Sequence, residues 1–194
     1  YYEDAVAEEL AATGLRGLLG QVLIDFPAPD AEDHITAMNS VSRFVERWQG
    51  HRLITPSIAP HAPYTVGDEH LIEAHQFALE HDCPLMIHLA ESQHEVSESI
   101  RLNGVRPVEH LARLGVLSER MIAAHVVWAD DHELDLLAKT GAGVVHNPQS
   151  NMKLASGVAP LPQMLSRDMA VGLGTDGSAS NNDLSLWEEI DTAA

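Results

Sequence analysis

The chain has 194 residues, 45% of them hydrophobic, enough for one domain with a core of its own. Its 29 acidic residues against 11 basic ones give a formal charge of −18, a field that repels phosphate backbones and excludes nucleic acid as a natural partner. One cysteine, Cys83, excludes an internal disulfide and a Cys-based zinc cluster. No apolar run approaches the roughly 18 to 20 residues of a membrane span, and the opening YYEDAVAEEL is acidic where a signal peptide is basic, so a cytoplasmic protein without a membrane partner is expected.

Short apolar runs rich in β-branched residues recur along the chain: QVLIDF from Gln21, RLITPSIA from Arg52, PLMIHLA from Pro84, MIAAHVV from Met121, AGVVHN from Ala142 and AVGLGTD from Ala170. Runs apolar on both faces are the mark of strands buried in a parallel sheet. Between them lie helical patterns. GDEHLIEAHQFALEHD offers Leu71, Ala74, Ala78 and Leu79 as one stripe. DDHELDLLAKTG starts at an Asp130 cap, buries Leu134, Leu137 and Ala138 and ends on Gly141. Strand starts lie 21 to 37 residues apart, the length of a βα unit.

Repeated βα units fit either a doubly wound open sheet or a closed (β/α)8 barrel, and the polar groups decide between them. The six strand ends read Asp25, His61, His88, His125, His146 with Asn147, and Asp176. In a barrel such ends ring one mouth, whereas those of outlying strands in an open sheet do not converge. The fold class expected is therefore α/β, a TIM-like (β/α)8 barrel. At about 30 residues per unit the chain accounts for strands 3 to 8, so residues 1–194 read as a partial hydrolase barrel lacking its first two strands. No Gly-rich phosphate loop of Rossmann or Walker form is present, which argues against nucleotide-cofactor chemistry.

Four strand-end groups carry the chemistry. His88 follows an apolar run and must find a partner; metal ligation is one solution, and a hydrogen bond to a backbone carbonyl is the other. Glu91 comes three residues later, where the strand gives way to a loop. His125 repeats the pattern, and Asp176 repeats it with a carboxylate, a rare thing at the end of a buried strand. Imidazoles with a carboxylate suit zinc or iron and leave room for water, which points to metal-assisted hydrolysis. Neither H-x-H nor H-E-x-x-H occurs, so further ligands would come from outside these residues. His34, His51, His70, His75, His81, His94, His110 and His132 sit in polar stretches and read as surface groups. Asp25 reads as a turn residue rather than a pocket rim, and Trp48, Trp128 and Trp187 as packing residues.

The strings SIAPHAPYTVG, MIHLAESQHE, AAHVVWADDHEL, VVHNPQSNMKLASG and GLGTDGSASNNDLSLWEE follow one another over nearly the whole chain. In this order they resemble the amidohydrolase superfamily, in the branch of 5-methylthioadenosine/S-adenosylhomocysteine deaminases. The resemblance implies a (β/α)8 barrel, usually with a small flanking β-domain, and one divalent metal ion, zinc or iron. The metal would be held by an H-x-H pair on the first strand, which is absent here, by His88 and by Asp176. It implies that Glu91 faces the purine ring and passes a proton to a ring nitrogen, that His125 steadies the attacking water or the tetrahedral centre, and that His61 contacts the nucleoside sugar. Asp176 would be both ligand and base, at the substrate like Glu91.

The implied reaction is hydrolytic deamination of an adenosine-type nucleoside with release of ammonia. A sibling acting on guanine, a pterin or an s-triazine is the nearest alternative, and a barrel that binds ligand without turnover is another. A lysine-bridged binuclear site is disfavoured because SIAPHAP carries no lysine, Lys139 falls at a helix end and Lys153 in a loop. His146, Asn147, Ser150 and Asn151 either line the pocket or fix their loop. The partner expected is a small-molecule nucleoside, and homo-oligomer formation is left open.

Overall fold

A computed structural model describes residues 1–194 as two units, Tyr1–Ile87 and His88–Ala194. In the first, α1 (Glu3–Thr13) ends on Gly14 in the left-handed region at φ 79°, and β1 (Gly17–Leu23) follows. The Asp33 carboxylate caps α2 (His34–Trp48) by accepting the Thr36 N–H at 2.8 Å. Ala37, Val41, Phe44, Val45 and Trp48 form its buried stripe, at the spacing of one helical face. Next come β2 (Ile54–Pro60), α3 (Asp68–Glu80) and the start of β3 (Leu85–Leu89). β1 and β2 pair in parallel from Gly17 with Ile54 to Leu23 with Pro60, and β2 meets β3 at Ile58 with Leu85.

Phe44, Trp48, Ala7 and Ile54 form a core cluster, against which Leu10, Leu19 and Leu53 pack. Trp48 fits its packing role and also donates its indole N–H to Asp4 Oδ1 at 2.7 Å.

The second unit begins with the end of β3, to which the end of β4 is tied when Val126 N–H donates to the Leu89 carbonyl at 3.0 Å. Its elements are α4 (Gln93–Asn103), α5 (Pro107–Leu114), β4 (Met121–His125), α6 (Asp131–Thr140), β5 (Gly143–His146), α7 (Pro148–Lys153), α8 (Leu161–Leu165), β6 (Val171–Leu173) and α9 (Leu186–Ala193). β4, β5 and β6 pair in parallel, with Ala123 beside Val144 and His146 beside Leu173. Asp130 and Glu133 form a reciprocal capping box at the start of α6, and Gly141 ends it at φ 74°. The buried Glu133 carboxylate also accepts the Val108 N–H at 2.9 Å and pairs with Arg106 at 2.7 Å.

Several expectations need correction. β1 starts four residues before Gln21, because Gly17 and Gly20 belong to it: a Cβ at Gly20 would come within 2.7 Å of the Ala59 Cβ on β2. Leu79 is half exposed and Ala138 only partly buried, so each falls off its predicted stripe. Trp187 is 81% exposed rather than packed in the core, while His110 is buried rather than on the surface. No helix is long and apolar enough to cross a membrane.

Replacing Phe44 by Ala in the full-length protein is expected to cost about 3–5 kcal/mol in urea unfolding, through lost transfer energy and the cavity left behind. Ile35→Ala, in the first turn of the same helix but exposed, should stay within about 0.5 kcal/mol. Equal losses at the two positions would contradict this assignment of the core.

Candidate active site

The polar groups read at strand ends fall close to, but not all on, the ends of the observed strands. His125 and His146 are the last residues of β4 and β5, His88 is the penultimate residue of β3, and His61 directly follows β2. Asp25 and Asp176 lie two and three residues beyond β1 and β6.

Within the second unit, His88, Glu91, His125 and Asp176 come together around α7. The rings of His88 and His125 stack with centroids 5.6 Å apart. His125 is 1% exposed; its Nδ1 lies 2.9 Å from Asn151 Oδ1, and its Nε2 3.8 Å from Glu91 Oε2. A carboxamide oxygen only accepts, so Nδ1 carries the proton there and Nε2 is turned towards Glu91. The other oxygen of Glu91 accepts the Ser156 hydroxyl at 3.0 Å.

Asp176 is held from several sides. Its Oδ2 accepts the hydroxyls of Ser150 and Ser180, both at 2.7 Å, and its Oδ1 the Gly177 N–H at 2.8 Å. Burial alone pushes this carboxyl up, but those three donors, with His125 nearby, bring it below the ordinary aspartate range. The charged form is thereby favoured. For His146 the balance runs the other way, since burial and then the neighbouring His125 push its imidazole down, towards the neutral form.

His146 and Asn151 line a cavity of about 390 Å³ with Gly157, Val158, Leu161 and Thr192. His146 Nδ1 and Asn151 Nδ2 are buried without a hydrogen-bond partner. Gly157 is required where it stands: at φ 127° any Cβ is strained, and one here would lie 2.9 Å from Val127 Cγ1. Trp128 does more than pack, because its indole N–H donates to the Ser156 carbonyl at 2.5 Å and so fixes the residue that bonds Glu91.

The two roles weighed for the loop after β5 divide among its residues. Ser150 and Asn151 hold Asp176 and His125, and Asn151 lines the cavity as well. Asn147 fixes the loop: with its amide turned to donate, it reaches the His146 and Gly174 carbonyls at 3.1 and 3.3 Å. In the first unit, His61 Nδ1 lies 2.9 Å from the Thr65 hydroxyl, and its ring meets Tyr64 edge-on.

The amidohydrolase family model matches residues 1–194. The chain belongs to that family. The family match and the structural likeness below also establish the α/β barrel class of the fold. This amidohydrolase chain is 45% identical to a Syntrophobacter fumaroxidans protein named 5-methylthioadenosine/S-adenosylhomocysteine deaminase, over 100% of this chain and 44% of that protein. It is 46% identical to a 5'-deoxyadenosine deaminase of Methanopyrus kandleri, over 100% and 45% respectively. The crystal structure of an adenosine deaminase from Xanthomonas campestris with bound zinc superposes at a TM-score of 0.97 and 37% identity, covering 100% of this chain and 44% of that one. The chain thus spans less than half the length of these relatives.

Three supporting residues escaped the sequence reading: Ser156, Ser180 and Glu95. Glu95 had a signal, since Ser92-x-x-Glu95 is a capping-box pattern, and Ser92 does accept the Glu95 N–H. The Glu95 carboxylate turns further back, accepting the Ala90 and Glu91 N–H groups, both at 2.8 Å. It thereby fixes the turn that carries Glu91.

Burial, only partly offset by these N–H donors, pushes the Glu95 carboxyl up to about 7. A folded-state value above the unfolded one means that this group favours the fold most below pH 4.5, and that the advantage is lost as pH rises through about 7. Glu95→Gln removes that dependence and sets an NH2 against one of the two N–H donors. The full-length variant should be less stable by about 1–3 kcal/mol at pH 5, with a smaller gap at pH 8. Urea melts at the two pH values check this, and a gap that widens with pH would contradict it.

Proposed function

We propose that this chain is the greater part of the catalytic barrel of a metal-dependent hydrolytic deaminase acting on adenosine-type nucleosides. In the full-length protein it would supply strands 3 to 8, with the first two strands and a flanking β-domain completing it. The observation that carries the reading is the meeting of His88, Glu91, His125 and Asp176 about one short helix. The names of the relatives at 45–46% identity supply the substrate class.

The donor set fits a divalent ion. Asp176 offers an anionic oxygen kept ionised by three donors, and His88 an imidazole stacked on His125 in the same unit. These two would be this chain's ligands, with the others contributed from elsewhere in the full-length protein. The zinc of the Xanthomonas campestris structure favours zinc over iron. When bound, such an ion supplies Lewis acidity that makes water a nucleophile at neutral pH.

The chain's own groups divide the remaining work. Asp176 accepts the proton of the attacking water. Glu91, oriented by Ser156 and by the turn that Glu95 holds, delivers a proton to the ring nitrogen beside the amino-bearing carbon. His125, its Nδ1 proton committed to Asn151, presents an Nε2 lone pair that steadies the attacking water by accepting a hydrogen bond from it. The amino group takes the proton held by Asp176 and leaves as ammonia, while the hydroxyl proton returns to Glu91 as the carbon becomes a carbonyl. The 390 Å³ cavity, lined mostly by apolar residues with His146, Asn151 and Thr192 as its polar groups, has the size of a small-molecule pocket. His61 is assigned to the sugar.

Purified full-length protein should release ammonia from 5'-methylthioadenosine and not from guanine. Glu91→Gln and Asp176→Asn should each lower kcat by about 100-fold or more. Chelation should abolish turnover, and added zinc should restore it. Metal-replete protein that releases no ammonia from any adenosine-type nucleoside would overturn the reading, and release from guanine would move the assignment to a sibling activity.

A further inference from the structure

A second group of ligating side chains lies wholly in the first unit and takes no part in the proposed reaction. Asp25 follows β1, His34 opens α2, and His70 sits in the first turn of α3. One ligating atom from each lies within 4.8 Å of the other two. Sequence reading had placed both histidines among surface groups and Asp25 in a turn. The turn role is real, since Asp25 Oδ2 accepts the Gly67 N–H at 2.6 Å, but its other oxygen faces the two imidazoles. Asp25 Oδ1 lies 2.7 Å from His70 Nδ1 and 3.8 Å from His34 Nδ1.

The state of His34 distinguishes this group from an ordinary ion pair. Its Nε2 lies 2.7 Å from Glu73 Oε2, and a carboxylate only accepts, so the proton sits on Nε2. When the ring is neutral its lone pair is at Nδ1, an atom that is buried and has no hydrogen-bond partner. That lone pair faces a carboxylate oxygen at 3.8 Å, too far to share a proton in a hydrogen bond. Two acceptors converging across such a gap are complementary to a cation. A carboxylate on the far nitrogen of a histidine is also the usual support for a metal-ligating ring, fixing its tautomer and raising its basicity.

We propose that Asp25, His34 and His70 form a second divalent-metal site, separate from His88 and Asp176, with Glu73 as its supporting carboxylate. Two nitrogens and one oxygen suit zinc or a neighbouring transition ion rather than calcium or magnesium. The rings of His34 and His70 stack with centroids 3.4 Å apart and planes 6° from parallel. Parallel rings cannot both aim in-plane lone pairs at one ion. His70, with its side chain 36% exposed against 13% for His34, is the ring free to turn, and the same exposure gives the ion a path in.

The test uses metal-stripped full-length protein titrated with Zn²⁺ at micromolar concentration. Wild type should bind one equivalent more than Asp25→Asn or His34→Gln, and deaminase activity should survive in both variants. Glu73→Gln should weaken the extra site by about 10- to 100-fold without removing it. Should either ligand variant fail to fold, His70→Gln at the more exposed position gives the same comparison. Co²⁺ visible absorption, or anomalous scattering at the zinc edge, locates the ion. Equal stoichiometry in wild type and ligand variants, or no anomalous peak among the three side chains, would overturn the proposal. Neither result would touch the deaminase reading, which stands or falls on ammonia release.

Discussion

Two adjacent side chains on α7 set the geometry on which the second unit's site depends. Ser150 donates to Asp176 and Asn151 accepts from His125, and both are essentially unexposed. One peptide unit fixes their separation, so the acid and the imidazole cannot drift apart without moving the helix. The helix is itself anchored by Glu189, which accepts the Gln149 N–H at its N-terminal end with one oxygen and the Asn181 amide with the other, at 3.1 and 2.6 Å. Asn181 adjoins Ser180, the second hydroxyl on Asp176. Both grips on Asp176 therefore trace back to one fully buried carboxylate on α9, a residue that no chemical motif would single out.

This framework holds the backbone where it does not relax unaided. Ala90, His125, Val126 and Asp176 all have φ between 48° and 72°, a region that non-glycine residues enter at a cost of about 1–3 kcal/mol each. Val126 is the most telling, because a β-branched residue has the least reason to be there. Each lies at or just past the end of a strand in the second unit. At Ala90 the compensation comes from Glu95, which accepts its N–H, and at Val126 from the bond its N–H makes to the Leu89 carbonyl. Strain this concentrated, and countered by specific hydrogen bonds, is what a site fixed for chemistry needs and what a loop chosen only for stability would shed.

The strand runs and the groups at their ends were legible because both are local: an apolar β-branched run reads as a strand wherever it packs, and its terminal residue needs no partner to be found. Asp130 and Gly141 were legible at the two ends of α6 for the same reason, as a start and a stop signal flanking an apolar stripe. What stayed hidden depends on donors that only the folded backbone sets in place, near in sequence for Glu95 and distant for Glu133 and Glu189. Glu95, Glu133 and Glu189 look like solvated charges in sequence, yet each is buried against backbone N–H groups that only the fold supplies. The start of β1 was missed because its two glycines break the apolar, β-branched run that marks a strand, when Gly20 is there to let β2 approach. Trp187 erred the other way, since an aromatic ring in sequence says nothing about whether a neighbour exists to cover it.

The tautomer of His125 ties these threads to the proposed chemistry. With Nδ1–H committed to Asn151, its remaining nitrogen and Glu91 Oε2 stand 3.8 Å apart as two acceptors unless one of them carries a proton. Ser156 donates to the other oxygen of Glu91, and Trp128 holds Ser156 in place. No hydrogen bond closes the gap between Glu91 and His125. A substrate that brings both a basic ring nitrogen and a leaving amino group can use that gap, taking a proton from the Glu91 side while His125 faces the carbon under attack. In the proposed reaction a ligand without a basic nitrogen would leave the acid with nothing to protonate, so the arrangement would favour heteroaromatic amines by the protons they can accept as well as by shape.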